Sequence, residues 1–339
     1  MADLPGTLWF GGGAPARAGR ILLAPVSAVY RAAVAARGAL YDAGVLRTTA
    51  GAIPALSVGN LTVGGTGKTP VAAWFAAEFA ARGARPAIVL RGYGGDEPLV
   101  HGALNAGVPV VVDPDRVRGV ARAAADGADV AVLDDAFQHR RAARAVDVVL
   151  VSADRWPGRV RLLPAGPFRE RPEALRRASL VIITAKAAGP GAIARVREAV
   201  HQAAPGVPLA VMRLGLGPLR HDAGGERPLA SLRGAAVLAI SAIGDPAAFA
   251  AQLAATGASV RTRIFPDHHA FSAADAESLA PSLAELPVCT LKDYVKLGPL
   301  WPRGAPALWY VSQHSTVEDG RASLDEAIAT ILRARPVHP

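Results

Sequence analysis

Hydrophobic positions along this chain fall into short unbroken runs, separated by stretches whose apolar residues recur every three or four places. An unbroken run reads as a strand buried on both faces, and the longer period reads as helix. Residues 55–59 (ALSVG), 87–90, 108–112, 129–133, 146–151 and 180–184 are predicted strands. Residues 70–82, closed by Gly83, and 116–125 are predicted helices. Strands that alternate with helices require right-handed crossovers and therefore a mostly parallel sheet. Between Leu214 and Leu229 the composition changes to LGLGPLRHDAGGERPL, where Gly224-Gly225 suits a turn between two short extended pieces. A domain junction is expected there, dividing the chain into 1–215 and 216–339. Beyond it the alternation resumes, with strands over 235–240, 260–264, 288–291 and 307–311 and helices over 246–255, 273–283 and 324–333.

One further helix is predicted over 21–46, where Leu22, Val26, Tyr30 and Val34 recur at four-residue spacing and Arg20, Ser27 and Arg31 take another face. Arg17 and Arg20 ahead of ILLAPV echo a signal sequence, but Arg31 interrupts the run. No window of roughly 18 uncharged apolar residues follows, so a spanning helix is not expected. The helix either packs on its own domain or lies in a membrane interface.

Length and charge narrow the picture. A chain of 339 residues exceeds what one hydrophobic core sustains, which again gives two domains. With 51% hydrophobic and 19% charged residues it fits a folded α/β enzyme. The net charge of +9 favours anionic partners: nucleotide, nucleic acid or an anionic membrane. Of the 37 basic residues only Lys68, Lys186, Lys292 and Lys296 are lysines, a bias that a GC-rich genome produces unaided. No stripe of basic and aromatic residues accompanies the charge, so nucleic acid is not an expected partner. The single cysteine, Cys289, rules out an internal disulfide or a thiolate cluster and fits a reducing compartment.

The stretch TVGGTGKT at Thr62, Val63, Gly64, Gly65, Thr66, Gly67, Lys68 and Thr69 lies between a predicted strand and a predicted helix. Backbone N–H groups of such a loop point inward, the helix N-terminus adds partial positive charge, and a lysine reaches the terminal phosphates. The first position of the usual pattern is glycine, and here it is Thr62. Thr69 offers a hydroxyl to Mg²⁺, and Asp134 and Asp135, ending an apolar strand, offer carboxylates to the same ion. Guanine readout would want Asn-Lys-x-Asp after a later strand, where this chain has Ala185-Lys186-Ala187-Ala188; ATP is therefore expected. Phosphoryl transfer to an alcohol also needs a base or orienting group, for which Asp96 and His268 are candidates. His268 and His269 could equally be read as metal ligands, although no cysteine or carboxylate cluster completes a site.

Together these residues resemble the tetraacyldisaccharide 4′-kinase family, the lipid A kinases of Gram-negative bacteria. The resemblance rests on SVGNLTVGGTGKTP (Ser57–Pro70), LRGYGG (Leu90–Gly95), GDEPLV (Gly95–Val100), LDDAFQHRR (Leu133–Arg141), LLPAGPFRE (Leu162–Glu170), FPDHH (Phe265–His269) and KDYVKL (Lys292–Leu297). It runs in order from about Leu22 into the last hundred residues, and the missing first glycine is one of the family's traits. It implies a P-loop NTPase-like three-layer α/β/α core with a second, smaller α/β/α domain joined by a short β linker, the active site lying between the two. It also implies ATP- and Mg²⁺-dependent phosphorylation of the 4′-hydroxyl of an acylated disaccharide 1-phosphate lipid at the cytoplasmic face of the inner membrane. Carried over by motif, Asp96 would be the base or orienter and His268 its partner. Lys68 and Thr69 would contact phosphate and Mg²⁺, with Asp134 and Asp135 on the metal side and Arg116 and Arg169 on substrate or phosphate. The lipid substrate favours the interfacial reading of 21–46.

The chain departs from the family pattern at three places. Ala136 replaces the glycine usual after the paired aspartates, Gly95 serves two motifs at once because a spacer is missing before Asp96, and Arg171 is inserted after Glu170. Two other readings fit parts of the chain. A membrane-associated ATPase switch of the partitioning kind would want a lysine at the start of the loop, where Thr62 and Val63 stand. A soluble small-molecule kinase would keep the N-terminal helix entirely in its core.

Overall fold

The computed structural model describes residues 4–92, 95–221, 224–280 and 285–336. Contacts divide the chain into two compact units: residues 1–91, 107–212 and 317–339 form the first, and 92–106 with 213–316 the second. The chain passes between them at 91–92, 106–107, 212–213 and 316–317. The exchange of 92–106 and of the stretch from 317 between units is one that local periodicity does not encode.

In the first unit α1 (Leu4–Phe10) and α2 (Ala14–Asp42) precede six strands: β1 (Ala55–Asn60), β2 (Pro86–Leu90), β3 (Val110–Val112), β4 (Val130–Asp134), β5 (Val146–Ser152) and β6 (Leu180–Ala185). Their spatial order is β3-β2-β4-β1-β5-β6 and every pair is parallel. After β1 comes α3 (Lys68–Ala81); α4 (Glu97–Leu104) belongs to the second unit; α5 (Arg116–Ala125) and α6 (Pro190–Ala203) return to the first. Alternation along the strands builds the layers. Ala87, Val89, Ala131 and Leu133 share one core with Val120 and Ala123 of α5. The intervening Ile88, Val130 and Val132 face the other way, toward α3, whose Val71, Phe75 and Phe79 are fully buried. Each such side chain contributes about 2 kcal/mol of burial, so α3 is held by its core contacts and its N-terminus is free to serve a ligand.

The connections also mark where a ligand belongs. β1 leads through α3 to β2 on one side, whereas β4, its neighbour, leads to β5 on the other. At such a reversal the carboxyl ends of the two strands leave a crevice. Here those ends carry residues 62–69 and Asp134-Asp135.

β7 (Leu209–Arg220) starts in the first unit and ends in the second, where β8 (Glu226–Arg227) pairs with it antiparallel. Gly224 has φ +79°, as a turn there requires; Asp222 and Ala223 lie outside the described residues. The second unit continues with β9 (Ala236–Ser241), α7 (Pro246–Ala254), β10 (Ser259–Ile264), α8 (Ala273–Leu279), β11 (Leu286–Thr290), α9 (Leu291–Leu297) and β12 (Trp309–Asp319). Its parallel sheet runs β10-β9-β11-β12. Val237 and Ala239 pack with Phe249 and Leu253 of α7, while Leu238 and Ile240 pack with α8 and α9 through Leu279 and Leu297. Each unit is thus three layers thick. α10 (Arg321–Arg333) ends the chain in the first unit. The expected helix over 273–283 closes at Leu279, and residues 281–284 lie outside the described set.

The N-terminal helix has other bounds than expected. It begins at Ala14, after Gly13 and with Pro15 in its first turn, seven residues ahead of the expected start, and ends at Asp42. At 29 residues it is long and apolar enough to cross a bilayer by length and composition alone, although, as expected, none of its 18-residue windows is free of charge. It is also fastened to the first unit. Ser27 Oγ donates to the Leu162 carbonyl, Tyr30 to that of Arg169, and Arg37 to that of Gln138. Its apolar side is turned outward, with Ile21, Leu22 and Val29 respectively 72%, 77% and 71% exposed.

Candidate active site

The loop after β1 is shaped by two glycines in left-handed backbone, Gly64 at φ +112° and Gly67 at φ +87°. A side chain at either would be strained. Thr62 has no such demand, because it forms an extended bridge with Phe168, and Val63 N–H donates to the Pro167 carbonyl at 2.8 Å. The chain therefore enters the loop as extended backbone, which any residue adopts, and that is why threonine stands where glycine is usual.

Thr66 fixes the loop's crest. Its hydroxyl accepts from Asn60 Nδ2 at 2.8 Å, and its carbonyl accepts from Thr184 Oγ1 at 2.8 Å. Asn60 ends β1 and Thr184 is the last residue but one of β6, and both are buried. The N-cap of α3 is Gly67, which has no side chain to occupy the first-turn N–H groups. Those donors, the positive end of the helix and the Lys68 ammonium form an anion cradle. Lys186 and Arg155 add cationic groups beside Gly65 and Gly64.

Asp134 and Asp135 follow at the end of β4. Asp134 is buried, and its carbonyl accepts from Arg116 Nη2 at 3.2 Å. Arg116 also donates to the Asp113 carbonyl and is 3% exposed, so its buried guanidinium ties the end of β4 to residue 113. Asp135 takes the left-handed conformation, at φ +52°. Its carboxylate lies 3.8 Å from Lys68 Nζ and 2.8 Å from Arg169 Nη1. Burial pushes that carboxyl up, but Lys68 and Arg169 outweigh it and hold it below its usual range. The positive φ falls on Asp135 and not on Ala136, so the alanine costs no backbone strain. Aspartate is among the residues that tolerate this region best.

The second unit brings Asp96 and His268 together. Asp96 stands at the N-cap of α4 without capping it through its side chain, and it is 1% exposed. His268 Nδ1 lies 3.5 Å from Asp96 Oδ1. Lys292 Nζ is 3.9 Å and Lys296 Nζ 4.0 Å from Oδ2 of the same carboxylate. No hydrogen bond occupies either oxygen among the described residues, so the carboxylate is buried, held by charge, and has unused acceptor capacity. Lys292 Nζ lies 3.1 Å from His268 Nε2. An ammonium can only donate, so Nε2 is the acceptor and the ring proton sits on Nδ1, facing Asp96. His268 is itself left-handed, at φ +59°, with its N–H bonded to the Ala242 carbonyl. The shortened run before Asp96 does not displace it from His268; Tyr93 and Gly94 of that run lie outside the described residues.

Lys292 and Lys296 were not among the expected site residues, although both stand in KDYVKL. Four residues apart on α9, they present one face to Asp96, and Asp293 between them anchors the helix by accepting from Ala242 N–H and Thr290 Oγ1. His269 turns away toward Asp275 at 3.3 Å, and among the described residues no set of three or more His, Cys, Asp and Glu could hold a metal there. In the first unit the available donors are Thr69 Oγ1 and the carboxylates of Asp134 and Asp135. Such hard oxygen donors suit Mg²⁺, which takes one or two carboxylates beside substrate phosphates. Arg171, the inserted residue, pairs with Glu173 at the surface and leaves Arg169 on Asp135.

Comparison with known proteins identifies the family. The family model described as tetraacyldisaccharide-1-P 4′-kinase matches residues 19–101 and 94–333. The chain is 41% identical over 331 residues to the tetraacyldisaccharide 4′-kinase of Anaeromyxobacter dehalogenans strain 2CP-C, covering 88% of this chain and 84% of that one. It is 39% identical over 330 residues to that of Halorhodospira halophila, covering 91% of each. Among solved structures it resembles LpxK from Aquifex aeolicus in complex with ATP, with a TM-score of 0.73 and 28% identity over 92% of this chain and 99% of that one. On the motifs, the fold and these matches, the chain belongs to the tetraacyldisaccharide-1-P 4′-kinase family.

Proposed function

We propose that Gly64–Thr69 grip the terminal phosphates of ATP while Asp96 accepts the proton of the 4′-hydroxyl of tetraacyldisaccharide 1-phosphate, in the ATP-dependent kinase reaction of lipid A assembly that defines this family. Phosphoryl transfer asks the protein for positioning and charge stabilisation more than for covalent chemistry. Lys68 neutralises the β- and γ-oxygens as charge shifts onto them. Arg169 serves beside it once the anion draws it from Asp135, and Arg116 holds the strand end that carries the two aspartates. Thr69 and one or both of Asp134 and Asp135 would hold Mg²⁺, which would supply charge neutralisation to the phosphates. In the second unit Lys292 fixes the tautomer of His268, whose Nδ1 proton orients the Asp96 carboxylate toward the acceptor hydroxyl.

The observation that carries this reading is the buried Asp96 carboxylate, ringed by His268, Lys292 and Lys296 with neither oxygen hydrogen-bonded among the described residues. We assign the chain to the cytoplasmic face of the inner membrane, held peripherally by the outward apolar side of α2, where a substrate with its acyl chains in the bilayer would be met. The test is transfer of label from radioactive ATP, with Mg²⁺, to detergent-dispersed acylated disaccharide phosphate. Label in the lipid phase is expected; label only as free phosphate would favour an ATPase switch. Deleting residues 1–46 should abolish membrane association, and undiminished association would rule out the anchoring helix.

A further inference from the structure

Between α2 and the segment 159–171 the first unit contains a groove of about 550 Å³. Arg17, Arg20, Arg31, Arg159, Arg161 and Arg171 line it, without one acidic residue. Exposed arginines elsewhere in the chain are commonly matched to acids, as Arg82, Arg118, Arg197 and Arg321 are. In the groove only Arg171 has such a partner, and Arg20 spends its guanidinium on the carbonyls of Leu8 and Gly11. Arg17, Arg31, Arg159 and Arg161 make no side-chain hydrogen bond or ion pair among the described residues. Like charges gathered without a counter-charge repel one another, and a bound anion relieves that repulsion. Guanidinium is the side chain best matched to a phosphate, through paired N–H donors.

We propose that this groove binds the phosphodiester headgroup of an anionic bilayer phospholipid. It rests on the membrane reading of α2 and goes beyond it, because it names a built site where that reading needs only an apolar face. One wall is apolar, with Ile21, Ala24 and Val160, and it continues onto the exposed side of α2. A lipid can place its phosphate among the arginines and lay its acyl chain along that wall. A nucleic acid would want stacking aromatics, and none line the groove.

The test uses the full chain and vesicles of phosphatidylcholine with and without phosphatidylglycerol. Each arginine near an anionic surface adds roughly fivefold in affinity, so the Arg17→Gln/Arg159→Gln/Arg161→Gln variant is expected to lose about a hundredfold of the phosphatidylglycerol-dependent binding. Its binding to phosphatidylcholine alone should stay unchanged, which also reports that it is folded. An equal loss from Arg195→Gln/Arg263→Gln/Arg303→Gln would reduce the effect to net charge and overturn the site. Unaltered vesicle binding with a raised KM for the acylated disaccharide phosphate in zwitterionic micelles would give the groove to the substrate's own phosphate, and would equally overturn it. Failure of the parent chain to bind either vesicle would defeat the membrane reading itself, whereas loss confined to Leu22→Gln/Val29→Gln would leave that reading standing and remove the groove.

Discussion

Replacing Asp96 by asparagine keeps the side chain's shape and removes one charge. The carboxylate is 1% exposed, with ammonium groups at 3.9 and 4.0 Å and the imidazole at 3.5 Å. At an effective dielectric constant of about 20, each ammonium–carboxylate pair at that distance gains about 4 kcal/mol of attraction. Withdrawing each ion from water costs several kcal/mol, and both lysines keep some solvent contact, so the two effects largely cancel. The expected change in folding stability is therefore no more than about 2 kcal/mol. Loss of a general base costs about 10²–10⁴ in rate, or roughly 3–5 kcal/mol of barrier, and this larger effect decides the phenotype. Asp96→Asn should fold, bind ATP with unaltered affinity through the intact loop, and transfer phosphate at least about a hundredfold more slowly. Measuring single-turnover transfer beside thermal unfolding and nucleotide titration separates these outcomes. A folded variant working within tenfold of the parent would remove Asp96 from the chemistry. Lys292→Met adds a check, because a tautomer-setting lysine should shift the pH–rate profile as well as its height, and should add little once Asp96 is gone.

The remaining expectations concern the cradle and the sheet edge. Lys68→Met should abolish transfer and weaken nucleotide binding by at least about tenfold in a fluorescence titration; intact phosphorylation would sink the kinase. Thr66→Val leaves the buried Asn60 amide without its acceptor, at a cost of about 1–3 kcal/mol, read as a lower urea midpoint. Ala136→Gly should destabilise by about 0.5–1 kcal/mol without changing turnover, since φ at this position is not left-handed; a stabilised variant would contradict that. Arg118 hydrogen bonds hold the Asp113 carboxyl down at about 2. A carboxyl lowered on folding contributes stability above its unfolded value near 3.9 and loses it as pH falls toward the folded one. Asp113→Asn should therefore flatten the fall in stability between about pH 4 and pH 2, measured by denaturant melts across that window.

Much of this was legible because local pattern and chemistry agree. The run ALSVG, the glycine-rich loop and the helix after it form one strand–loop–helix unit, and the buried strand ending in Asp134-Asp135 points to the same crevice. Helix α6 was legible in principle, with Pro190 opening it and Val196 and Val200 on one face, yet it stood outside the expected elements. Asn60 and Thr184 carried a usable signal, a polar residue at the end of an apolar strand, whose partner only the folded sheet supplies. Lys292 carried almost none, since two lysines on a short helix look like a solvated face, and it meets Asp96 only because 92–106 folds with a unit whose remainder starts at 213. Glycines and Pro15 signal the start of α2, but Arg17 and Arg20 dilute the apolar period, which becomes regular only from Ile21.

Thr62, by joining Phe168 in an extended bridge, does more than excuse a missing glycine. Residues 162–169 bond on one flank to the start of the phosphate loop and on the other, through Leu162 and Arg169, to Ser27 and Tyr30 of α2. A short strut thus links α2 to the glycine-rich loop. A helix seated at a given depth in a bilayer would thereby fix the height at which ATP is presented, so that lengthening or loosening the strut should uncouple catalysis at the lipid surface from hydrolysis in solution.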